Sequence, residues 1–229
     1  MPLKASVEKI QKHVGELARM NPDRSFSKLY RVICDETWLS EAWQRIRRNK
    51  GSKTAGVDGK TKDNVDTELI KRLANRLHSE EYRPTPVRRV YIPKANGKVR
   101  PLGIPTIQDR IVQSALKMIL EPIYEEKFRN CSHGFRPKRS CITALSDVAM
   151  RFARSTWVIE GDIKGCFDNI HHGRLLSILR KTIRDEKVIG LIANFLAAGY
   201  LEQWSFHHTY SGTPQGGILS PPTMLLNGP

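Results

Sequence analysis

Asp162 sits in the stretch TWVIEGDIKGCFDNI, near the end of a short apolar run and just before a glycine turn. The run predicts a β-strand from Thr156. Side chains alternate along a strand, so Val158, Glu160 and Asp162 share one face while Trp157, Ile159, Gly161 and Ile163 share the other. A carboxylate emerging from a sheet beside Gly161 and Gly165 leaves room for other groups to approach. A divalent cation is the strongest partner that makes its charge tolerable there. Taken alone, the same residue also reads as a surface salt bridge or a turn acid. Asp168, six residues on, reads as the N-cap of the helix in NIHHGRLLSIL.

Three further segments carry groups able to do chemistry. In YIPKANGKVRPLGIP, Lys94 and Arg100 stand six apart on opposite arms of a hairpin, which suits two cations gripping one triphosphate. GFRPKRS adds Arg136, Lys138 and Arg139. In GTPQGGILSP, Gly212, Gly216 and Gly217 leave backbone bare beside Gln215.

Composition narrows the partners. The 229 residues carry 38 Lys and Arg against 23 Asp and Glu, a formal charge of +15. That excess runs along the whole chain and suits a polyanion, because each neutralised phosphate releases counterions. The four cysteines show no C-x-x-C spacing and read as reduced thiols of a soluble, cytoplasmic protein. The paired histidines, His171-His172 and His207-His208, would point apart in a strand or loop, which speaks against zinc. No run is long and apolar enough for a membrane span.

The elements that must hold these groups are legible from periodicity. Val7, Ile10, Val14 and Leu17 mark one helical face over residues 4–19. A second helical region covers 27–48 and closes in the basic run RIRRNKGSK. TAGVDGKT is a glycine-punctuated turn, and NVDTELIKRLANRLHSE is helical. Then VRRVYIPKANGKVRPLGIP alternates, with Asn96-Gly97 supplying a tight hairpin turn. Thr106 and Asp109 form a capping box opening the helix IQDRIVQSALKMILEPI, which Pro122 bends or breaks. Helices follow over about 142–154, 172–183 and VIGLIANFLAAGY. The pattern is α+β, with helices clustered first and strands later.

Together with NKGSKTAGVDG, the segments above resemble the reverse transcriptases encoded by group II introns, over about Thr37–Pro221. The resemblance implies a right-hand polymerase: an N-terminal helical extension (1–50), fingers with the start of the palm (51–155), and an incomplete palm (156–229). It implies an RNA-directed DNA polymerase, with a role in intron splicing in the full form. By the same resemblance Lys94 and Arg100 bind the nucleotide triphosphate. Asp162, helped by the Ile163 carbonyl, is the first ligand of two Mg²⁺ ions. Phe167 is an aromatic gate that leaves no room for a 2′-hydroxyl, so the substrate is a deoxynucleoside triphosphate. Gln215 lines the nucleotide pocket, and Gly216 lets the template–primer backbone come close. Arg136, Lys138 and Arg139 guide template phosphates. The partners are template or intron RNA and a DNA primer.

The pattern aromatic-x-Asp-Asp, which supplies the remaining carboxylates in that family, is absent from the sequence. Agreement with the family stops between Pro221 and Pro222, before PTMLLNGP. One aspartate cannot hold two Mg²⁺ ions, because each needs most of six oxygen ligands. The expectation is a truncated polymerase part, inactive by itself, from a frameshift, a premature stop or a deliberate cut. Two other readings share the motifs: a non-catalytic basic RNA-binding module, and a diverged relative acting in phage defence or beside a CRISPR system. A palm sheet with missing strands leaves an open edge, which implies self-association.

Overall fold

The computed structural model describes residues 2–93, 95, 97–213 and 217–218. Its first elements are helices α1 (Pro2–Met20), α2 (Tyr30–Ile33) and α3 (Glu36–Ile46). The second helical region of the sequence is thus split. Asp35 is the cause: its backbone is extended, and its side chain accepts from the Trp38 amide, capping a new helix. Two short 3₁₀ turns, Lys50–Lys53 and Lys62–Asn64, lead to α4 (Thr67–His78).

The hairpin forms as its alternation requires. Strands β1 (Val87–Pro93) and β2 (Val99–Ile104) pair antiparallel, from Arg88 opposite Ile104 to Pro93 opposite Val99. Gly97 at the turn has φ +76°, the left-handed conformation that its lack of a Cβ permits. Helix α5 (Ile107–Glu125) follows and is buried on nearly every side, from Ile107 to Tyr124.

Pro122 neither breaks α5 nor leaves an orphan. Proline removes the donor that would serve the carbonyl four residues back, Met118. That carbonyl accepts instead from Gln11 Nε2 of α1 at 2.6 Å. Further links tie α3 to the same helix: Trp38 Nε1 donates to the Ala115 carbonyl at 3.0 Å, and Ser114 Oγ to the Ala42 carbonyl at 3.2 Å. One apolar core runs from Val7 through α3, α4 and α5 to Leu196.

Helix α6 (Cys141–Phe152) buries none of its residues. Beyond it lie α7 (His172–Thr182), α8 (Glu186–Ala197), β3 (Tyr200–Glu202) and β4 (Ser205–His207). Asp168 is not the cap of α7; His171 occupies that place, and its ring accepts from the Arg174 amide. The described sheet has the order β2-β1-β3-β4, with β3 parallel to β1 through Val87–Tyr200 and Arg88–Leu201.

The strand expected from Thr156 does not form. Residues 157–163 run without regular structure, with Trp157, Ile159 and Ile163 90%, 99% and 67% exposed. Alternation gives a segment two faces, but a strand exists only when its backbone groups find a neighbouring strand. Among the described residues no strand lies beside this one.

Candidate nucleotide and nucleic-acid site

The turn after Asp162 is built by glycine. Gly165 has φ +60°, and its carbonyl accepts from the Asp168 and Asn169 amides at 2.9 and 3.0 Å. The Asn169 side-chain amide closes the turn onto the Lys164 carbonyl. This holds Phe167 half-buried at the turn's far side.

Residues 211–213 are clamped onto that turn. The Thr213 amide donates to the Phe167 carbonyl and the Gly212 amide to the Ile170 carbonyl, each at 2.8 Å. His172 Nε2 meets the Gly212 carbonyl at 2.7 Å, and Ser211 Oγ donates to the Asp168 carbonyl at 3.2 Å. Gly212 has φ +83°, and a Cβ there would lie 2.8 Å from the Phe167 carbonyl oxygen. Only glycine permits so close a backbone crossing. Gln215 and Gly216 lie outside the described residues. Chain on both sides is anchored: Thr213 as above, and Ile218 through its amide to Gln113 Oε1 at 2.9 Å.

The hairpin meets the same place. A cavity of about 340 Å³ is lined by Arg89 of β1, Gly103 of β2, Asp168, Tyr200, Ser211 and Thr213. The Arg89 guanidinium lies 3.6 Å from the Tyr200 ring centroid, a cation–π contact. Arg89 Nε and Thr213 Oγ1 are buried with no hydrogen-bond partner among the described residues. Buried polar atoms of this kind are completed by water or ligand. On the opposite face of the hairpin, Arg88, Val90 and Ile92 alternate with Ile104, Leu102 and Arg100. Arg100 is exposed at the distal end, while Lys94 lies outside the described residues.

Asp162 itself is exposed, as is Ile163. Among the described residues no three carboxylate, histidine or cysteine side chains come together where a metal could sit. One carboxylate does not supply the oxygen donors of a divalent ion pair, so these residues by themselves do not fit one.

The basic loop divides into two kinds of cation. Arg136 is 8% exposed, and its guanidinium is engaged inside the protein. It makes a two-pronged contact with Glu125, Nη2 at 2.8 Å and Nε at 3.1 Å, and donates to the Arg129 and Ser132 carbonyls. Four of its five N–H donors are engaged in this way, so the side chain shapes the loop more than it offers itself to a phosphate. Lys138 is exposed, and Arg139 is half-buried with one bond to the Asn130 carbonyl.

Several positioning residues carry no motif. Arg110 of α5 donates to the Pro105, Gly51 and Thr54 carbonyls at 2.9, 2.6 and 2.6 Å, fixing the loop before the second 3₁₀ turn. Arg88 does the same to the Ala55 carbonyl. Asp109, 2% exposed, accepts from the Tyr82 hydroxyl, the Thr106 hydroxyl and the Thr85 amide. Burial pushes the Asp109 carboxyl above its ordinary range, and burial beside that carboxyl does the same to the Tyr82 phenol. Asp109 is marked in the sequence as the capping partner of Thr106, whereas Arg110 shows only as a charge on an otherwise apolar stripe of helix.

Comparison with known proteins gives this geometry a lineage. Residues 92–226 match the family model described as reverse transcriptase (RNA-dependent DNA polymerase). The group II intron-encoded protein LtrA of Lactococcus lactis subsp. cremoris is 48% identical over 221 residues, covering 96% of this chain and 36% of LtrA. Protein YkfC of Escherichia coli (strain K12) is 40% identical over 223 residues, 94% of this chain and 58% of YkfC. The chain therefore spans about a third of the one and somewhat more than half of the other. Among solved structures, a partial Cas6-RT-Cas1–Cas2 complex superposes with TM-score 0.57 at 20% identity, over 86% of this chain and 33% of that one, a likeness of fold. By the family model and these relatives, the chain belongs to the group II intron type of reverse transcriptases and maturases.

Proposed function

We propose that this polypeptide is the fingers and part of the palm of an RNA-directed DNA polymerase, acting on RNA template and DNA primer with deoxynucleoside triphosphates. The reading is supported above all by one relationship: the hairpin, the Phe167–Asp168 turn and residues 211–213 close around a single cavity. On this reading Lys94 and Arg100 hold the triphosphate, Phe167 is the gate against a 2′-hydroxyl, and Gln215 and Gly216 line the nucleotide and template–primer path. Asp162, with the Ile163 carbonyl, would be one ligand contribution toward Mg²⁺, the remaining oxygen donors coming from groups other than the described residues. Lys138 and Arg139 take template phosphates, and Arg136 holds their loop in shape.

A second reading has its own support. The exposed Asp162 without companion carboxylates among the described residues suits a basic RNA-binding module that does not polymerise. Primer extension on an RNA template with Mg²⁺, comparing wild type with Asp162→Ala, separates the two. Synthesis abolished by the substitution carries the polymerase reading. Salt-sensitive RNA binding without synthesis leaves the binding module. Binding that ignores salt overturns both, since phosphate contacts must release counterions.

A further inference from the structure

Beyond Arg88 the hairpin loses its sheet neighbour on one side. Strand β1 stays paired with β2 out to Pro93–Val99, but with β3 it pairs only through Val87–Tyr200 and Arg88–Leu201. Strand β3 ends at Glu202, and the chain reverses through Gln203 and Trp204, with φ of +47° and +67°. A tight hairpin turn of this kind needs positive φ at both central residues. Among the described residues, the distal arms of the β1–β2 hairpin thus have no strand beside them where β3 has turned away.

Side chains bridge that gap. Arg89 and Tyr91 share one face of β1, as Tyr200 and Glu202 share one face of β3. The Arg89 guanidinium lies over the Tyr200 ring, which is stacked in turn on His207 of β4, centroids 4.8 Å apart and planes 12° apart. Further out, the Tyr91 hydroxyl donates to Glu202 Oε1. On this face β2 offers neither residue a polar side chain, since Gly103 stands opposite Arg89 and Pro101 opposite Tyr91. The register gives both contacts one direction. With Arg88 beside Leu201, the ladder continued would set Glu202 beside Arg89. Instead Arg89 reaches Tyr200 and Tyr91 reaches Glu202, each two residues back toward the hairpin root. Long and aromatic side chains make diagonal contacts of this kind, and here both draw the hairpin the same way, onto β3.

We infer that Tyr91 and Glu202 form a latch that positions the hairpin over the cavity beside Thr213, with the Arg89–Tyr200 stack as its pivot. Neither Tyr91 nor Glu202 lines that cavity, so both act through the hairpin. Arg89 and Tyr200 do line it, which carries a movement of the hairpin to the cavity wall. The bond to Glu202 also keeps the donor in place: it pushes the Tyr91 phenol above its ordinary range, with Arg89 pulling the other way. Tyr91 is 50% exposed, and an exposed pair that only added stability would need no offset shared with a second contact. The latch rests on the nucleotide-site reading and deepens it, since the arms it places carry Lys94 and Arg100.

The test follows amide hydrogen exchange in the 229-residue protein, with its affinity for deoxyadenosine triphosphate measured alongside. Tyr91→Phe should speed exchange along the hairpin about fivefold, within what one hydrogen bond is worth, and leave α5 and the urea midpoint at wild-type values. Glu202→Ala should do the same, and the two combined should go no faster than either alone, since both remove one contact. Glu202→Gln keeps an oxygen that accepts from the phenol and should hold the wild-type rate. Trp204→Ala, in the adjoining turn and 99% exposed, should change nothing. Nucleotide affinity should fall about threefold in Tyr91→Phe and be retained in Glu202→Gln. Hairpin exchange that ignores Tyr91→Phe, effects that add in the double variant, protection lost through α5 as well, or nucleotide affinity untouched by a loosened hairpin each overturns the latch. Wild type that binds no nucleotide overturns instead the reading on which it rests, while the exchange rates still decide the latch.

Discussion

The Thr213 amide donates to the Phe167 carbonyl at 2.8 Å, joining two segments 46 residues apart in sequence into one wall. Each alone is a loop, and loops hold side chains loosely unless something fixes them. Here backbone fixes backbone, so the ring of Phe167 takes its position from the glycine segment as much as from its own turn.

Gly212→Ala should therefore be costly. At φ +83° a Cβ is strained, and it would also meet the Phe167 carbonyl oxygen at 2.8 Å. The expected loss is about 2 kcal/mol. Gly97→Ala offers the comparison: φ is +76° but nothing among the described residues lies within 4 Å of the added carbon. It should cost about 1 kcal/mol. Urea denaturation of the two variants checks the order, and equal losses would show that the crossing is not tight.

Removal of the Arg136 side chain should act on stability before it acts on RNA. Arg136→Ala strands Glu125 and two carbonyls that the guanidinium serves. A cost of about 3 kcal/mol is expected for breaking such a pair. Lys138→Ala, at an exposed site, should stay within about 0.5 kcal/mol. Its effect should appear in RNA affinity and the salt slope.

Asp109 gives the protein a pH signature. Burial raises its carboxyl above the ordinary value of 3.8, in spite of the hydrogen bonds from Tyr82, Thr106 and Thr85. The folded state thus binds this proton more tightly than the unfolded chain does. Stability contributed at this site grows as pH falls through the folded pKa and levels off below about 3.8. Measured against Asp109→Asn at each pH, wild type should gain relative stability in acid. Asp147 and Glu186, held low by Arg151 and Arg180, pull the other way in both proteins and cancel in the difference. A difference that does not vary with pH would mean the hydrogen bonds fully offset burial.

The apolar surface of α6 and the segment after it should drive association. Ile142, Leu145 and Met150 are 69–75% exposed, and Trp157 and Ile159 at least 90%. Large apolar side chains left open to solvent in such number mark a contact surface. Leu145→Glu combined with Ile159→Lys should lower self-association in sedimentation velocity while changing stability by less than about 0.5 kcal/mol. Association that persists unchanged would place the contact elsewhere.

Elements whose signal is local were legible in the sequence. The hairpin follows from alternation and Asn96-Gly97, and its register comes out as the turn requires. Helices α4 and α5 follow from apolar spacing, and Thr106 caps α5 as expected. What failed depends on distant partners. Residues 157–163 have strand composition, but pairing belongs to two segments and cannot be read from one. Strands β3 and β4 have three residues each, too few for any period to appear. In the site, RPKR reads as one basic run, and nothing local marks Arg136 as the member that turns inward to Glu125. The order of segments set the Phe167 turn and GTPQGG in one nucleotide site as an expectation, and of these the described Gly212 and Thr213 are hydrogen-bonded to that turn. Nothing local in the sequence marks Arg89 and Tyr200 as walls of the cavity beside Thr213.

The parallel pairing of β1 with β3 has a consequence for synthesis on the ribosome. Val87 finds Tyr200 only after 113 more residues have emerged. Phe26, bridged to Ile183, waits longer still. Contacts so remote slow folding, because the intervening chain must be gathered before they form. The nascent hairpin thus has one flank bare while the chain from Ile104 to Tyr200 is being made, a natural point of engagement for chaperones.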